Sequence, residues 1–291
     1  MRPKSQKQTR VYSLMAHGND QPEILLREDF GRIAVLTLNR PEARNALSDE
    51  LLGELQSSLD ALRSDENIHV VVLAANGPAF CSGHDMRQIL AKRDRDYYES
   101  VFERCSGVMM AIKQLPQPVI AAVQGSAAGA GAQLAATCDL AFASDAARFA
   151  LPGVNIGLWC STPSVGVSRS IGQKAAMEML LSGELIDAEQ AFRFGLVNRV
   201  VPHDELQDTV MEFAMGVASR SRMAVALGKE AFYKQSEMGL QDAYRYASDV
   251  MTHNLLKDDA WEGMHAFLEK RPAEWTVSYT HLRAHETEQH L

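Results

Sequence analysis

The stretch from Pro118 to Asp139, PVIAAVQGSAAGAGAQLAATCD, constrains the fold more than any other part of the chain. Val119 to Val123 reads as a short buried strand. Small residues follow, with glycines at 125, 129 and 131, and then a helix begins. Glycines between a strand and a helix bring the backbone close to something else, because a side chain would stand in the way. The first N–H groups of a helix have no partner within it and carry a positive partial charge. They can hold an anion, or an oxygen that becomes anionic during a reaction. Taken alone, the stretch reads first as a packing turn and second as a site. Gln124, Gln133 and Asp139 exclude a membrane helix, despite the GxxxG spacing from Gly125 to Gly129. Neither GxGxxG nor GxxxxGK[ST] occurs here, so the stretch is not a nucleotide fingerprint.

The flanking sequence extends this pattern. Ile24 to Glu28 and Arg32 to Asn39 read as a hairpin. Ser48 stands at an N-cap, ahead of a leucine stripe from Leu51 to Leu62. His69 to Ala75 reads as a buried strand and Asn76 to Asp85 as a loop. Helices follow at Met86 to Leu90 and Tyr97 to Lys113. After the glycine stretch, LAFAS and RFALP are short strands, and Gly153 to Pro163 is a loop. Helices are expected over Pro163 to Ile171 and Gln173 to Ser182. Asp187 and Gln190 resemble a capping box for a helix ending at Gly195, and Leu196 to Val201 is a strand. Beyond Asp204 the pattern is helical over Leu206 to Ser219, Met223 to Gln235, Leu240 to Leu256 and Trp261 to Lys270. Strand–helix alternation ahead of a helical block argues an α/β class with a C-terminal helical appendage, divided at Pro202-His203.

With 291 residues and 46% hydrophobic content, the chain can build a sizeable core. A net charge of −8 argues against a nucleic-acid partner. Cys81, Cys105, Cys138 and Cys160 lack CxxC spacing and read as reduced thiols; no metal site is expected. The start, MRPKSQKQTRVYSL, is basic but lacks the apolar core of a secretory signal. It reads as a disordered lead-in or a targeting segment over residues 1–23. The end, VSYTHLRAHETEQHL, lacks apolar periodicity and is expected to be a non-native tail over residues 277–291.

Five phrases then appear together: LNRPEARNALS from Leu38, FCSGHDM from Phe80, PVIAAVQGSAAGAGAQLAATCDLAFAS from Pro118, GLVNRVVP from Gly195 and GMHAFLEKR from Gly263. In this order and spacing they resemble the crotonase superfamily, the enoyl-CoA hydratase/isomerase family, over roughly Ile24 to Trp275. The resemblance implies a core of repeated ββα units wound as a spiral over residues 24–202, with two sheets roughly perpendicular. It implies a helical oligomerisation region over residues 203–276, a homotrimer or dimer of trimers, and a place in fatty acid metabolism. The ligand it implies is an acyl-CoA thioester, with coenzyme A as part of the substrate and no other cofactor. In the family two backbone N–H groups hold the thioester oxygen, and the matching positions are His84 and Ala130. Either residue keeps its N–H whatever its side chain. The His84 imidazole reads as a packing or hydrogen-bonding group, with a place against the ligand as the alternative. Ser82, Asp85, Met86 and Arg87 belong to the segment that lines the ligand in relatives. Phe267 and Lys270 match the helix near the adenine end, often that of a neighbouring subunit.

The chain departs from the family's hydratases at their two acid positions. Where those enzymes carry glutamates, this chain has Gln133 and Gly153. An amide orients water but transfers no proton, and glycine supplies no side chain. No acid stands at the isomerase position near Cys160 and Ser161 either. Cys160, Ser161 and Asn155 are the remaining polar candidates, with an inert buried thiol as the bland reading of Cys160. Asp139 reads as a structural cap. Three functions stay open: an acyl-CoA enzyme of the lyase/isomerase class with altered or weak activity, a non-catalytic acyl-CoA-binding or regulatory protein, and a thioester hydrolase or decarboxylase. The expected compartment is the cytoplasm, with the mitochondrial matrix as the alternative.

Overall fold

The computed structural model describes residues 23–275. The expected lead-in before residue 23 and the expected non-native tail lie outside the described residues.

Leu25–Phe30 (β1) and Ile33–Leu38 (β2) form the antiparallel hairpin. Ser48 caps Asp49–Arg63 (α1), accepting from Leu51 N at 3.3 Å, and the leucine stripe is buried. Val70–Ala75 (β3) is buried at every position. Next come Ala79–Cys81 (β4), Met86–Ala91 (α2) and Arg95–Gln114 (α3). Val119–Val123 (β5) leads into Ser126–Ala128 (β6) and Ala130–Thr137 (α4). Leu140–Ser144 (β7) and Arg148–Ala150 (β8) precede a 3-10 turn at Pro152–Ile156. Ser161–Ser168 (α5), Gln173–Ser182 (α6), Ile186–Asp187 (β9), Ala188–Phe194 (α7) and Arg199–Val201 (β10) complete the α/β part. Four helices end the described chain: Leu206–Ala218 (α8), Arg222–Ser236 (α9), Leu240–Leu255 (α10) and Asp258–Glu269 (α11).

The strands form two sheets, one of six strands in the order β1-β2-β3-β5-β7-β10 and one of four in the order β4-β6-β8-β9. The pairs β3/β4, β5/β6 and β7/β8 each give their first strand to the large sheet and their second to the small one. A helix then carries the chain to the next pair. This is the ββα repeat of a crotonase fold. Parallel strands need covering on both faces, and β3 meets that need by alternation. Val71, Leu73 and Ala75 join the core under α1, α3 and α4, whereas Val70, Val72 and Ala74 face the opposite way. That second face is covered by Leu206, Val210, Ala214 and Ala218 of α8, so packing continues across Pro202-His203.

The differences from the sequence reading are local. β4 and β6 fall inside segments read as loops, because three residues are too few to display alternation. The loop at Gly153 to Pro163 holds the 3-10 turn and the start of α5. Leu196 and Val197 are buried but unpaired, and only Arg199–Val201 joins the ladder. Asp187 accepts from Gln190 N at 2.7 Å, but the Gln190 amide oxygen accepts from Arg193, so the reciprocal half of a capping box is missing. Helix α11 begins one turn early, with Asp258 and Asp259 at its positive end.

Candidate functional site

β4 and β6 are adjacent and parallel, so the chain leaves both at the same edge of the small sheet. After β4 comes Ser82 to Asp85, and after β6 comes Gly129 and the first turn of α4. Sequence segments more than forty residues apart therefore meet at one place. Their approach is close enough to dictate glycine. A Cβ on Gly131 would lie 2.0 Å from the carbonyl oxygen of Cys81, and one on Gly83 would lie 2.9 Å from Ala128 O and 3.4 Å from Ala130 N.

The backbone of these loops sets the direction of the two N–H groups. Leu47 forms a parallel bridge with His84, donating to Gly83 O at 2.8 Å and accepting from Asp85 N at 3.1 Å. In such a bridge the residue between the two partners turns its own N–H and C=O to the other side. The His84 N–H is thus aimed away from Leu47. Ala130 is the first residue of α4, where the N–H has no intrahelical acceptor. Among the described residues no acceptor meets either N–H.

The side chains around this pair do little acid–base chemistry. Gln133 is 4% exposed and its Oε1 has no partner among the described residues. Gly153 is buried, and its N–H donates to Cys160 Sγ at 3.3 Å. A Cβ there would meet that sulfur at 2.9 Å and Leu158 O at 3.0 Å. Burial pushes the Cys160 thiol above its ordinary value, which opposes the thiolate that a nucleophile needs. Ser161 is exposed, and its hydroxyl donates to the Trp159 carbonyl at 3.4 Å. Asn155 donates to Gly183 O at 3.0 Å and holds the 3-10 turn in place.

Asp85 caps α2 through Arg87 N and pairs with Arg40 at 3.2 Å, so its carboxylate is engaged in fixing the loop. Ser82 donates its N–H to Arg44 O at 3.0 Å, and Met86 and Arg87 are exposed on the first turn of α2. Phe267 and Lys270 lie apart from the paired loops, at the exposed end of α11, which packs on α9 and α10. Phe267 lines a separate cavity of about 320 Å³ with Ser221, Asn254, Asp259 and Trp275.

Two features escaped the sequence reading. The His84 ring packs edge-on against Phe102 of α3, with centroids 5.4 Å apart, yet neither ring nitrogen has a hydrogen-bond partner among the described residues. Burial lowers its pKa, so the imidazole is neutral near pH 7. Of the packing or hydrogen-bonding role expected for it, the described residues supply the packing. Asp139 is structural, as expected, but centres a larger network: it accepts from Val119 N at 2.7 Å, Lys229 Nζ at 2.6 Å and Tyr233 OH at 2.7 Å. Lys229 and Tyr233 stand four apart on α9, one helical turn, and that spacing is the only trace of the network in the sequence.

A ββα spiral with two backbone N–H groups gathered at the ends of adjacent strands defines a crotonase-type protein. The family model for enoyl-CoA hydratase/isomerase matches residues 28–278, and the chain belongs to this family. It is similar to enoyl-CoA hydratase domain-containing protein 3, mitochondrial, from Homo sapiens, with 47% identity over 241 residues, 83% of this chain and 80% of that protein. The Rattus norvegicus protein of the same name is 43% identical over 88% of this chain and 85% of its own length. The crystal structure of human enoyl Coenzyme A hydratase domain-containing protein 3 superposes with a TM-score of 0.85 at 44% identity, covering 87% of this chain and all of that one (100%). That of an enoyl-CoA hydratase from Mycobacterium smegmatis gives 0.86 at 48% identity, covering 87% of this chain and 99% of that one.

Proposed function

We propose that the protein binds acyl-CoA thioesters, receiving the thioester oxygen between the backbone N–H groups of His84 and Ala130, and that it does not hydrate enoyl thioesters by a two-carboxylate mechanism. The observation that supports this reading is that the His84 and Ala130 N–H groups, on neighbouring loops, have no acceptor among the described residues, while Gln133 and Gly153 stand at the family's acid positions. Hydration of a 2-enoyl thioester needs one group to activate water and another to deliver a proton at the α-carbon. Losing such groups costs about 10²–10⁴-fold each. Oxyanion stabilisation survives that loss, because it belongs to the main chain. The protein's part is to bind the thioester, to polarise its carbonyl and to hold the acyl group beside Gln133. Coenzyme A enters as part of the ligand, with no other cofactor in the proposal. Fatty acid metabolism and the mitochondrial matrix are the proposed setting; the relatives' printed names, which include "mitochondrial", favour the matrix over the cytoplasm expected above.

The test is a binding and turnover panel on purified protein, using crotonyl-CoA, branched and carboxylated acyl-CoAs and free coenzyme A. The expected result is tighter binding of thioesters than of free coenzyme A, with crotonyl-CoA hydration far below that of an ordinary hydratase. Hydration at ordinary rates would overturn the loss of acid–base chemistry. Equal binding of thioesters and free coenzyme A would overturn the oxyanion hole. Turnover of a carboxylated thioester, or hydrolysis, would select the decarboxylase or hydrolase alternative over a binding protein.

A further inference from the structure

His84 and Ala130 present their N–H groups from different supports. Ala130 opens α4, and the carbonyl of the same peptide unit, Gly129 O, accepts from Gln133 N at 3.0 Å, so the helix stands behind that donor. His84 lies outside any helix. Its N–H shares a peptide unit with Gly83 O, and across a trans peptide the two point in opposite directions. Gly83 O accepts from Leu47 N at 2.8 Å. Leu47 N in turn shares a peptide unit with Ala46 O, which accepts from Arg40 Nη1 at 2.7 Å and from Ser48 N at 3.0 Å. A guanidinium, two peptide units and the His84 N–H therefore form one hydrogen-bonded series.

The head of this series is firmly held. Arg40 Nη2 pairs at 3.2 Å with Asp85, the residue after His84, and the two side chains are 19% and 13% exposed. Arg40 N donates to Asn45 Oδ1 at 2.8 Å, and Asn45 N donates to Arg40 O at 2.9 Å. Asn45 is fully buried, and its Nδ2 donates to Asn76 O and Ala79 O, both at 2.8 Å, which ties the turn to the start of β4. Arg44 and Asn45 hold φ of +50° and +53°, a region that side chains disfavour. The turn that brings Ala46 O back to the guanidinium thus forms against a local cost.

Resting on the thioester reading above, we propose that Arg40 is a positioning residue for the oxygen-binding donor. Its charge, relayed through the Ala46 and Gly83 carbonyls, orients the His84 N–H and strengthens it as a donor to the thioester oxygen. A peptide oxygen that accepts a bond makes the N–H of its own unit a better donor, by roughly 10–30% per bond. The cation does for His84 what the α4 dipole does for Ala130. Fastening the loop needs only the pair with Asp85; the bond to Ala46 O places the charge at the head of the series.

The experiment is infrared difference spectroscopy of butyryl-CoA carrying carbon-13 at the thioester carbonyl, bound to the wild-type chain, Arg40→Lys and Arg40→Met. The wild type is expected to lower the carbonyl stretch below that of the free ligand in water. In Arg40→Met this lowering shrinks by roughly 10–30%, and in Arg40→Lys, which keeps the cation, part of the loss returns. Circular dichroism checks that both variants fold. Should either fail to fold, NMR of the wild type carries the test: the scalar coupling across the Leu47 N–H to Gly83 O=C bond grows when butyryl-CoA binds and keeps its free value with coenzyme A alone. An undiminished lowering in folded Arg40→Met, no return in folded Arg40→Lys, or a coupling indifferent to butyryl-CoA would overturn the proposal. If the bound wild type leaves the carbonyl stretch at its free value, it is the thioester reading that fails.

Discussion

Gly153 shows how a missing acid can be more than a missing side chain. A Cβ on Gly153 would stand 2.9 Å from Cys160 Sγ and 3.0 Å from the Leu158 carbonyl oxygen, so a side chain there requires its neighbours to shift. Gln133→Glu with Gly153→Glu is therefore expected to leave crotonyl-CoA hydration at the parent level and to lower the thermal midpoint. Adding Cys160→Ala relieves the sulfur contact but not the backbone one, so hydration is expected to stay well below that of ordinary hydratases; recovery in the double variant would refute the steric account. Gly131 is constrained in the same way. Gly131→Ala drives a Cβ against Cys81 O and is expected to cost roughly 1–3 kcal/mol in denaturant unfolding and to abolish thioester binding. At this scale the sequence was legible in the close backbone approach at Gly131. It was silent about the contact between Gly153 and Cys160, because a steric exclusion seven residues apart leaves no periodic mark. It was equally silent about Phe102 as the neighbour of His84.

Elements are joined here by a few polar contacts whose loss is measurable. Ser48 caps α1, and Ser48→Ala is expected to cost about 1 kcal/mol in chemical denaturation. Asp139 fastens α9 to the start of β5 through Lys229, Tyr233 and Val119. Lys229→Met leaves the half-buried Asp139 carboxylate without its ion-pair partner, with an expected loss of roughly 1–3 kcal/mol in the same assay. His69 joins β3 to the end of α8, with Nδ1 at 3.1 Å from Ala218 O. Burial lowers its pKa, and the charges of Arg32 and Arg222 act in the same direction against the hydrogen bond. The unfolded chain then takes up the proton first as the solution is acidified. Stability is complete above about pH 6.5 and falls as the pH drops below it, down to the depressed folded value. His84 acts in the same sense. The thermal midpoint is expected to fall between pH 7.5 and 5.5, and His69→Gln to flatten that fall; an unchanged slope would remove His69 from the account. Long elements were read correctly because buried leucines and valines repeat with the element's own period. β4, β6 and β8 are only three residues each, and of these only β8 was read as a strand.

The molecule as a whole leaves much apolar surface uncovered on its last three helices, including Phe232, Leu240, Leu256, Phe267 and Leu268, each more than 60% exposed. Surface of this kind marks an association face, and the family's trimer is the proposed occupant. Light scattering is expected to give three or six times the 32.1 kDa chain mass; a monomer at micromolar concentration would refute it. The bridge between Leu47 and His84 carries a wider consequence. The proposed oxygen-binding groups are peptide N–H groups held by glycine contacts, and every amino acid except proline supplies one. Substitutions that erase an acid or install an imidazole leave those donors standing. A protein built this way can exchange one chemistry for another without first losing its ligand, so its reactive residues are free to diverge while its grip on the carbonyl endures.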